Sequence, residues 1–250
     1  MHHMVPLLVR TGLIVVFVLL LEYVGQSRLV SSSTFVPVSD MVRSLVSEIL
    51  RGRVTPHFVR TAIEAASSFS FAVILGVPFG AILWKCSGLA RAFEPYLVSL
   101  YSMPMVMFYP VFLMIFGLGI FPIIAVTFVA AVIPVVLNTM IGLSQVPEVF
   151  FKLARCFRLN RWQVFAKVVL PATTPFVFAG LRISAIYSLS LTIATEFILA
   201  DTGIGHRVRW GYEFYLTAEM YGYIMIIIIS AVLLNIGLTR GETALRKERL

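Results

Sequence analysis

Few residue combinations in this sequence are suited to catalysis. It contains no G-x-x-x-x-G-K-[S/T] loop for phosphates, no H-E-x-x-H or C-x-x-C motif for a metal, and no G-x-S-x-G nucleophile motif. Gly203 and Gly205 begin a pattern like a dinucleotide-binding loop, but the last glycine and a preceding strand are missing. We therefore expect a protein that is not an enzyme, holds no metal and has no cofactor of its own.

The segment of residues 145–171 combines charged and apolar side chains. Its spacing predicts a short amphipathic helix, a cap at Asn160 and a second helical stretch that runs to Pro171. Such a pair of helices could rest on anionic lipid headgroups or dock on another protein, and the pattern leaves both interpretations open. The charged residues are Glu148, Lys152, Arg155, Arg158, Arg161 and Lys167, and the interleaved apolar residues are Val149, Phe150, Leu153, Ala154 and Phe157.

Polar and aromatic residues within the apolar segments are candidates for a pathway across a membrane. An ionisable group inside a span is costly and is a functional hypothesis by default, and Arg182 and Glu196 are two such groups. On one helix they would lie about 21 Å apart, too far to pair. The sequence shows no cluster of cationic residues inside these segments. The predicted pathway residues are Tyr101, Met103, Met105, Tyr109, Asn138, Ser188, Thr192 and Glu196, and Thr127, Tyr187 and Thr195 are further candidates of the same kind.

The composition is typical of a membrane protein. Of the 250 residues, 59% are hydrophobic and 13% are charged, and no charged residue occurs between Pro95 and Pro147. Since a helix needs about 20 apolar residues to cross a bilayer, we predict an all-α polytopic membrane protein with about six transmembrane helices. The first could also be a cleaved signal peptide, but we favour a retained span. The predicted spans are residues 5–24, 61–84, 96–116, 122–143, 172–199 and 220–239.

Positive charge predicts the orientation. With both termini in the cytoplasm, twelve Lys and Arg residues fall in cytoplasmic segments and seven outside, and Arg182 lies in the fifth span. Enrichment of Lys and Arg in cytoplasmic loops favours this orientation, and it explains the net charge of +8 without nucleic acid. In residues 40–52, an apolar stripe at helical spacing predicts a helix along the outer face. The stripe comprises Met41, Leu45, Val46, Ile49 and Leu50.

Several short motifs resemble those of ABC importer permeases, most of all the nitrate/sulfonate/taurine-type branch. The resemblance is centred on Arg161-Trp-Gln-Val-Phe-Ala-Lys-Val-Val-Leu-Pro171, which is similar to the loop known in that family as the EAA loop. It extends over about residues 40–240. The further motifs are Gly76-Val-Pro-Phe-Gly80, Phe116-Gly-Leu-Gly119, Leu137-Asn-Thr139, Ala179-Gly-Leu-Arg-Ile183, Ala194-Thr-Glu-Phe197 and Thr202-Gly-Ile-Gly205.

The resemblance implies a subunit that carries a small solute, expected to be anionic, across the bacterial inner membrane. Its expected partners are a dimer of ABC ATPase subunits, a second permease copy, a periplasmic or lipid-anchored binding protein and membrane lipid. ATP and magnesium would bind to the ATPase rather than to this chain. The expected divisions are an N-terminal transmembrane helix (1–30), a periplasmic segment with an interfacial helix (31–60), a permease core (61–240) and a cytoplasmic tail (241–250).

In this family the EAA loop docks on the ATPase. The residues that the resemblance assigns to this role are Val149, Phe150, Lys152, Leu153, Ala154, Arg155, Phe157 and Arg158. Lys152 and Arg158 stand where the family pattern has glutamate and glycine, so we expect a different turn between the two short helices. We also expect either an atypical ATPase partner or compensating changes on the surface of the ATPase. The alternative function is a stand-alone channel or secondary carrier, although no convincing repeat supports it.

Overall fold

The computed structural model describes residues 4–27, 31 and 34–247, and in these residues its regular structure is entirely helical. The predicted all-α class is therefore confirmed. In chain order the helices are α1 (Met4–Gln26), α2 (Val38–Leu50), α3 (Val54–Lys85), α4 (Ser87–Ser102), a 3-10 turn (Met105–Phe108), α5 (Tyr109–Phe116), α6 (Ile120–Ser144), α7 (Glu148–Cys156), α8 (Arg161–Val164), a π-helical turn (Phe165–Val169), α9 (Leu170–Leu199), α10 (Ile204–Glu213) and α11 (Thr217–Lys247).

Among the described residues, four helices are long and apolar enough to cross a membrane. They are α3, α6, the continuous helix Trp162–Leu199 that contains α9, and the Thr217–Glu242 part of α11. Together α4 and α5 pass the same test, so the number is five if this bent pair is one span. In α1 the apolar part is Gly12–Gln26, which is shorter than these spans. The predicted number of six is not confirmed.

The predicted third span, residues 96–116, is not a continuous helix. It is broken between α4 and α5, which bend by 94° at this point. At the break Met103 has an extended backbone, with ψ of 143°, ahead of Pro104. A proline disfavours the helical conformation of the residue before it and donates no backbone hydrogen bond, so the pair Met103-Pro104 explains the end of α4.

The chain folds into two compact units, each built from two separate segments of the sequence. The first unit comprises Met1–Arg60 and Phe197–Ile229, and the second comprises Thr61–Glu196 and Ser230–Leu250. The divisions predicted from the sequence stay predictions.

In the second unit, α3, α6 and α9 pack closely through glycines. A Cβ atom at Gly80 would lie 2.7 Å from the backbone oxygen of Val136, and one at Gly180 would lie 2.7 Å from Cβ of Asn138. Gly76, four residues before Gly80, lies against Val135 in the same way. Small residues at this spacing let helices approach closely in a membrane.

In the first unit, α2 packs on α10 and α11. The predicted helical conformation is confirmed, whereas its place along the outer face stays a prediction. The predicted stripe is divided: Met41 and Leu45 are buried, whereas Val46, Ile49 and Leu50 are exposed. Leu45 packs with residues of α10 and α11, namely Ile204, Tyr223 and Ile226.

A buried carboxylate, Glu48, adds a polar anchor to this packing. Arg207 Nη2 lies 3.6 Å from one carboxylate oxygen of Glu48 and also pairs with Glu219. The hydroxyl of Tyr223 donates to Glu48 over 3.4 Å. Because the opposite charges and hydrogen bonds compensate the burial of this carboxylate, α2, α10 and α11 are held in one arrangement.

Candidate docking surface and cavity

The first site is the outward face of α7. Glu148 in its first turn and Arg155 in its last turn complement the helix dipole, which favours a helix in this short segment. Its apolar side chains Val149, Phe150, Leu153 and Phe157 are between 45% and 76% exposed. Phe150, Leu153 and Phe157 follow Val149 by one, four and eight residues, which places all four on one side of the helix. We call these four residues the α7 stripe.

Of the predicted docking residues, Ala154 does not lie on the exposed side. It is 3% exposed and faces the interior of the chain, and α7 contacts the π-helical turn. Lys152, Arg155 and Arg158 are also exposed and add positive charge to α7 and the turn that follows it. The surface open to a partner is therefore the α7 stripe with these three cations, while Ala154 fixes the helix to its own chain.

The turn after α7 keeps a regular form despite Arg158. The N–H of Leu159 donates to the carbonyl of Ala154, and the N–H of Arg158 donates to that of Arg155, both over 3.0 Å. These two bonds define a Schellman motif, in which the residue after the helix cap is usually glycine because its φ is positive. Arg158 adopts this conformation with φ of 48°. The expectation that a non-glycine residue would give a different turn is wrong.

The predicted cap at Asn160 is confirmed. Its side-chain oxygen accepts from the N–H of Gln163 over 2.8 Å, and the side-chain oxygen of Gln163 accepts from the N–H of Asn160 over 3.0 Å. This reciprocal pair is a capping box and fixes the start of α8. The sequence predicts that the following helical stretch ends at Pro171, and this is wrong. The helix continues through the π-helical turn into α9.

This continuity gives the docking surface a mechanical connection to a membrane span. The stripe is on α7, α7 contacts the π-helical turn, and that turn leads without a break into α9. A π-helical turn within a long helix often marks a functional site. A displacement of α7 can therefore be passed directly to α9.

The second site is a cavity of about 510 Å³ beside the break between α4 and α5. The break itself and one side of α9 form most of its wall. Tyr101 and Tyr187 meet there, with ring centroids 5.6 Å apart. The lining residues are 100–106, Ala130 and Ile133 of α6, and Ile186, Tyr187, Ser190, Leu191 and Ala194 of α9.

Four of the candidate pathway residues line this cavity: Tyr101, Met103, Met105 and Tyr187. Tyr109, Ser188, Thr192 and Glu196 are buried among the helices and do not line it. Asn138 is partly buried, and its amide donates to the carbonyl of Pro134 over 2.8 Å.

Sequence reasoning named Tyr187 but missed the other residues that α9 contributes to the wall. Tyr187, Ser190, Leu191 and Ala194 recur at intervals of three and four residues, which was an available signal for one helix face. Single polar residues drew attention to Ser188 and Thr192, which occupy a different side of α9.

The two ionisable groups of the fifth predicted span have polar partners. Arg182 Nη2 donates to Oδ1 of Asn235 in α11 over 2.7 Å. Glu196 is fully buried and accepts from the hydroxyl of Thr61, with distances of 2.7 and 2.9 Å to its two carboxylate oxygens. Both groups thus connect helices of the second unit. Within the described part of the chain, no group of three or more His, Cys, Asp or Glu residues is placed to hold a metal ion.

Comparison with known proteins relates the chain to a family of transport proteins. The family described as "Binding-protein-dependent transport system inner membrane component" matches residues 68–247. The nitrate import permease protein NrtB of Synechococcus elongatus is 30% identical over 60% of this chain and 54% of NrtB. The taurine transport system permease protein TauC of Escherichia coli is 28% identical over 73% of this chain and 66% of TauC. The match thus covers about half to two thirds of the length of these relatives.

The fold is also similar to that of solved transporters. A chain from an inward-facing crystal form of the MetNI methionine ABC transporter superposes with a TM-score of 0.67 and 18% identity, over 79% of this chain and 98% of that one. A second crystal form gives a TM-score of 0.64 and 20% identity, over 74% and 93%. At these identities the likeness establishes the fold alone.

Proposed function

Since this chain belongs to the family of binding-protein-dependent transport system inner membrane components, we propose that it is the permease subunit of an ATP-driven ABC importer. It forms the pathway for a small solute and has no ATPase site of its own. The relatives are named for nitrate, bicarbonate, taurine and glycine betaine or proline betaine, so the proposed cargo is a small polar or charged molecule.

The observation that carries this proposal is the α7 stripe. It consists of three exposed apolar residues on a nine-residue helix that is too short to span the membrane, together with Phe157 at the C-terminal cap of that helix. Exposed apolar patches that are bordered by polar residues mark interaction sites. We propose that this surface docks on an ABC ATPase subunit, which binds ATP and magnesium, and that α7 therefore faces the cytoplasm.

The proposed assembly contains two copies of this permease, two ATPase subunits and a periplasmic or lipid-anchored binding protein. When the ATPase pair closes on ATP, it displaces α7, and the π-helical turn passes this movement to the start of α9. Residues between Ile186 and Ala194, further along α9, line the cavity. Transport is then a shift between inward-open and outward-open populations, driven by the difference in ATPase affinity for the two states.

Co-purification with the ATPase tests this proposal. Leu153→Asp places a charge in the stripe and is expected to abolish association and ATP-driven uptake, because a carboxylate buried in an apolar contact without a partner is strongly unfavourable. The matched control is Leu50→Asp, since Leu50 is equally a leucine on a short helix and is 82% exposed. This control is expected to retain the ATPase.

Full association and uptake in Leu153→Asp would show that α7 is not the docking surface. ATP-independent uptake into vesicles that contain only this chain would favour a channel or secondary carrier instead. Ala154→Asp does not serve this test, because the burial of Ala154 within its own chain means that the variant perturbs the position of α7.

A further inference from the structure

The chemistry of the cavity wall indicates the kind of solute that fits. Among the described residues, none of those lining the cavity is Lys, Arg, His, Asp or Glu. Arg182, the cation nearest in sequence to the lining part of α9, donates to Asn235 instead. An anion that left water for this cavity would find no positive charge to compensate its lost hydration.

The broken span adds acceptors rather than donors. The last four carbonyls of a helix have no partner within it. At the end of α4 the carbonyl of Leu100 accepts from the N–H of Met103, and the carbonyls of Tyr101 and Ser102 belong to the same last turn of the helix. Both residues line the cavity. Non-helical backbone at membrane depth is tolerated where it lines a water-filled cavity, and the negative end of α4 favours a donor or a cation there.

Two aromatic rings provide a surface for a flat or apolar body. The rings of Tyr101 and Tyr187 are inclined by 32° to one another. Both side chains lie in the wall beside Met103 and Leu191. Aromatic faces stack on other rings and attract cations through their negative quadrupole. They repel an anion placed over the same face.

The size of the cavity also argues against a small inorganic ion. Its volume of about 510 Å³ lies in the range of sites for organic ligands, about 300–1,000 Å³. A water molecule occupies about 30 Å³. An oxyanion with four heavy atoms would leave most of the space to solvent and would contact few of the lining side chains.

We propose that this cavity binds an organic solute with a flat or apolar body and a nitrogen group that donates hydrogen bonds, and that the solute is neutral or cationic. This proposal rests on the cavity being part of the transport pathway of the proposed importer, and it replaces the anionic cargo expected from the sequence with a neutral or cationic one. The donor group would face the carbonyls of Tyr101 and Ser102, and the body would lie against Tyr187 and Leu191.

A matched set of three probes tests this preference. Benzamidine, benzamide and benzoate share a phenyl ring and an end group of the same size, but they are cationic, neutral and anionic. Binding is measured from the thermal shift of the full chain in lipid nanodiscs, with nitrate as a fourth probe. We expect benzamidine and benzamide to bind at least about tenfold more tightly than benzoate, and nitrate to give no shift, where tenfold corresponds to about 1.4 kcal/mol.

A charge variant tests whether the binding occurs in this cavity. Ser190→Arg places a cation in the wall and is expected to reverse the order, so that benzoate binds more tightly than benzamidine. Gln145→Arg is the matched control, because Gln145 is an exposed polar residue that does not line the cavity. In this control, benzamidine is expected to bind more tightly than benzoate, as in the unchanged chain.

The proposal is overturned if benzoate or nitrate stabilises the unchanged chain as much as benzamidine does, or if none of the four probes produces a shift. These measurements do not involve the ATPase. If the chain prefers anions but still associates with its ATPase through Leu153, the proposed solute class is rejected and the proposed importer function remains. If the chain prefers benzamidine but has no ATPase partner, the proposed importer function is rejected and the proposed solute class remains.

Discussion

Arg158 carries a local strain at the end of the proposed docking helix. Its φ of 48° is in the left-handed region, where the Cβ atom of an L-residue is crowded. Tyr215 ends α10 in the same way, with φ of 57° and an N–H bond from Leu216 to the carbonyl of Gly211. In both turns the closing hydrogen bonds of the motif are present, so the cost falls on the backbone of a single residue.

Arg158→Gly is therefore expected to stabilise the chain. Removal of the Cβ atom relieves the left-handed strain, which contributes about 1 kcal/mol, or about 2–4 °C in Tm for a chain of this size. Thermal unfolding in detergent measures the change. The matched control is Arg155→Gly, which lies within α7 and is expected to destabilise by about 1 kcal/mol, because glycine disfavours a helix interior. Equal destabilisation by both variants would contradict the strain at Arg158.

His206 is expected to make stability depend on pH. Burial lowers its pKa below the ordinary value of 6.5; the contact with the Ala200 carbonyl opposes this shift, and the positive charges of Arg209 and Arg207 add to it. The unfolded chain thus binds a proton more readily than the folded chain, and stability is lost as pH falls from about 6.5 towards the lower folded-state pKa. His206→Gln should flatten Tm against pH in this range. An unchanged slope in the variant would assign the dependence to another group.

At the scale of elements, the close approach of α6 and α9 determines the shape of the second unit. Gly180 faces the Cβ atom of Asn138 and the carbonyl of Pro134, at 2.7 and 2.9 Å from where its own Cβ atom would lie. The contact also positions α9, whose residues between Ile186 and Ala194 line the cavity further along the helix. Backbone atoms cannot move aside as a flexible side chain can, so this interface tolerates little added volume.

Gly180→Ala is expected to destabilise the chain by about 1–3 kcal/mol, because one methyl group must push α6 and α9 apart. Gly237→Ala is the control, since Gly237 is also in a helix but has no atom within 4 Å of the position of a Cβ. This control should be neutral or slightly stabilising, by up to about 1 kcal/mol. Thermal unfolding of both variants measures the difference. If the two variants have the same Tm, α6 and α9 do not approach one another closely at Gly180.

The elements that could be predicted from the sequence are those set by local physics. Periodic apolar residues indicated α2 and α7, and the side chain of Asn160 was enough to place a cap. Tertiary contacts decided the rest: Ala154 is inside and Leu153 outside, although both fit the same helical pattern. The break at Met103-Pro104 also escaped prediction, because its flanking residues are as apolar as those of a continuous span.

At the scale of the whole molecule, the bent pair of α4 and α5 decides the topology. Cys86 precedes the pair, and Cys156 follows α6. If the pair crosses the membrane, the chain makes two crossings between the cysteines and both are on the same side. If the pair is a re-entrant loop, only α6 crosses and the cysteines are on opposite sides. The two exposed thiols are therefore natural reporters of the number of spans.

We expect both cysteines to lie in the cytoplasm, because Lys and Arg are more frequent in the segments assigned to that side. Chains that retain one cysteine, with the other replaced by serine, are treated with a membrane-impermeant maleimide in intact cells and in inverted vesicles. Cys86 and Cys156 should both react only in inverted vesicles. A third chain, with both replaced and Arg51→Cys added, should react only in intact cells, since α2 is predicted on the outer face. Labelling of Cys86 and Cys156 from opposite sides would make the bent pair a re-entrant loop, whereas labelling of both from outside would invert the orientation and remove α7 from reach of a cytoplasmic ATPase.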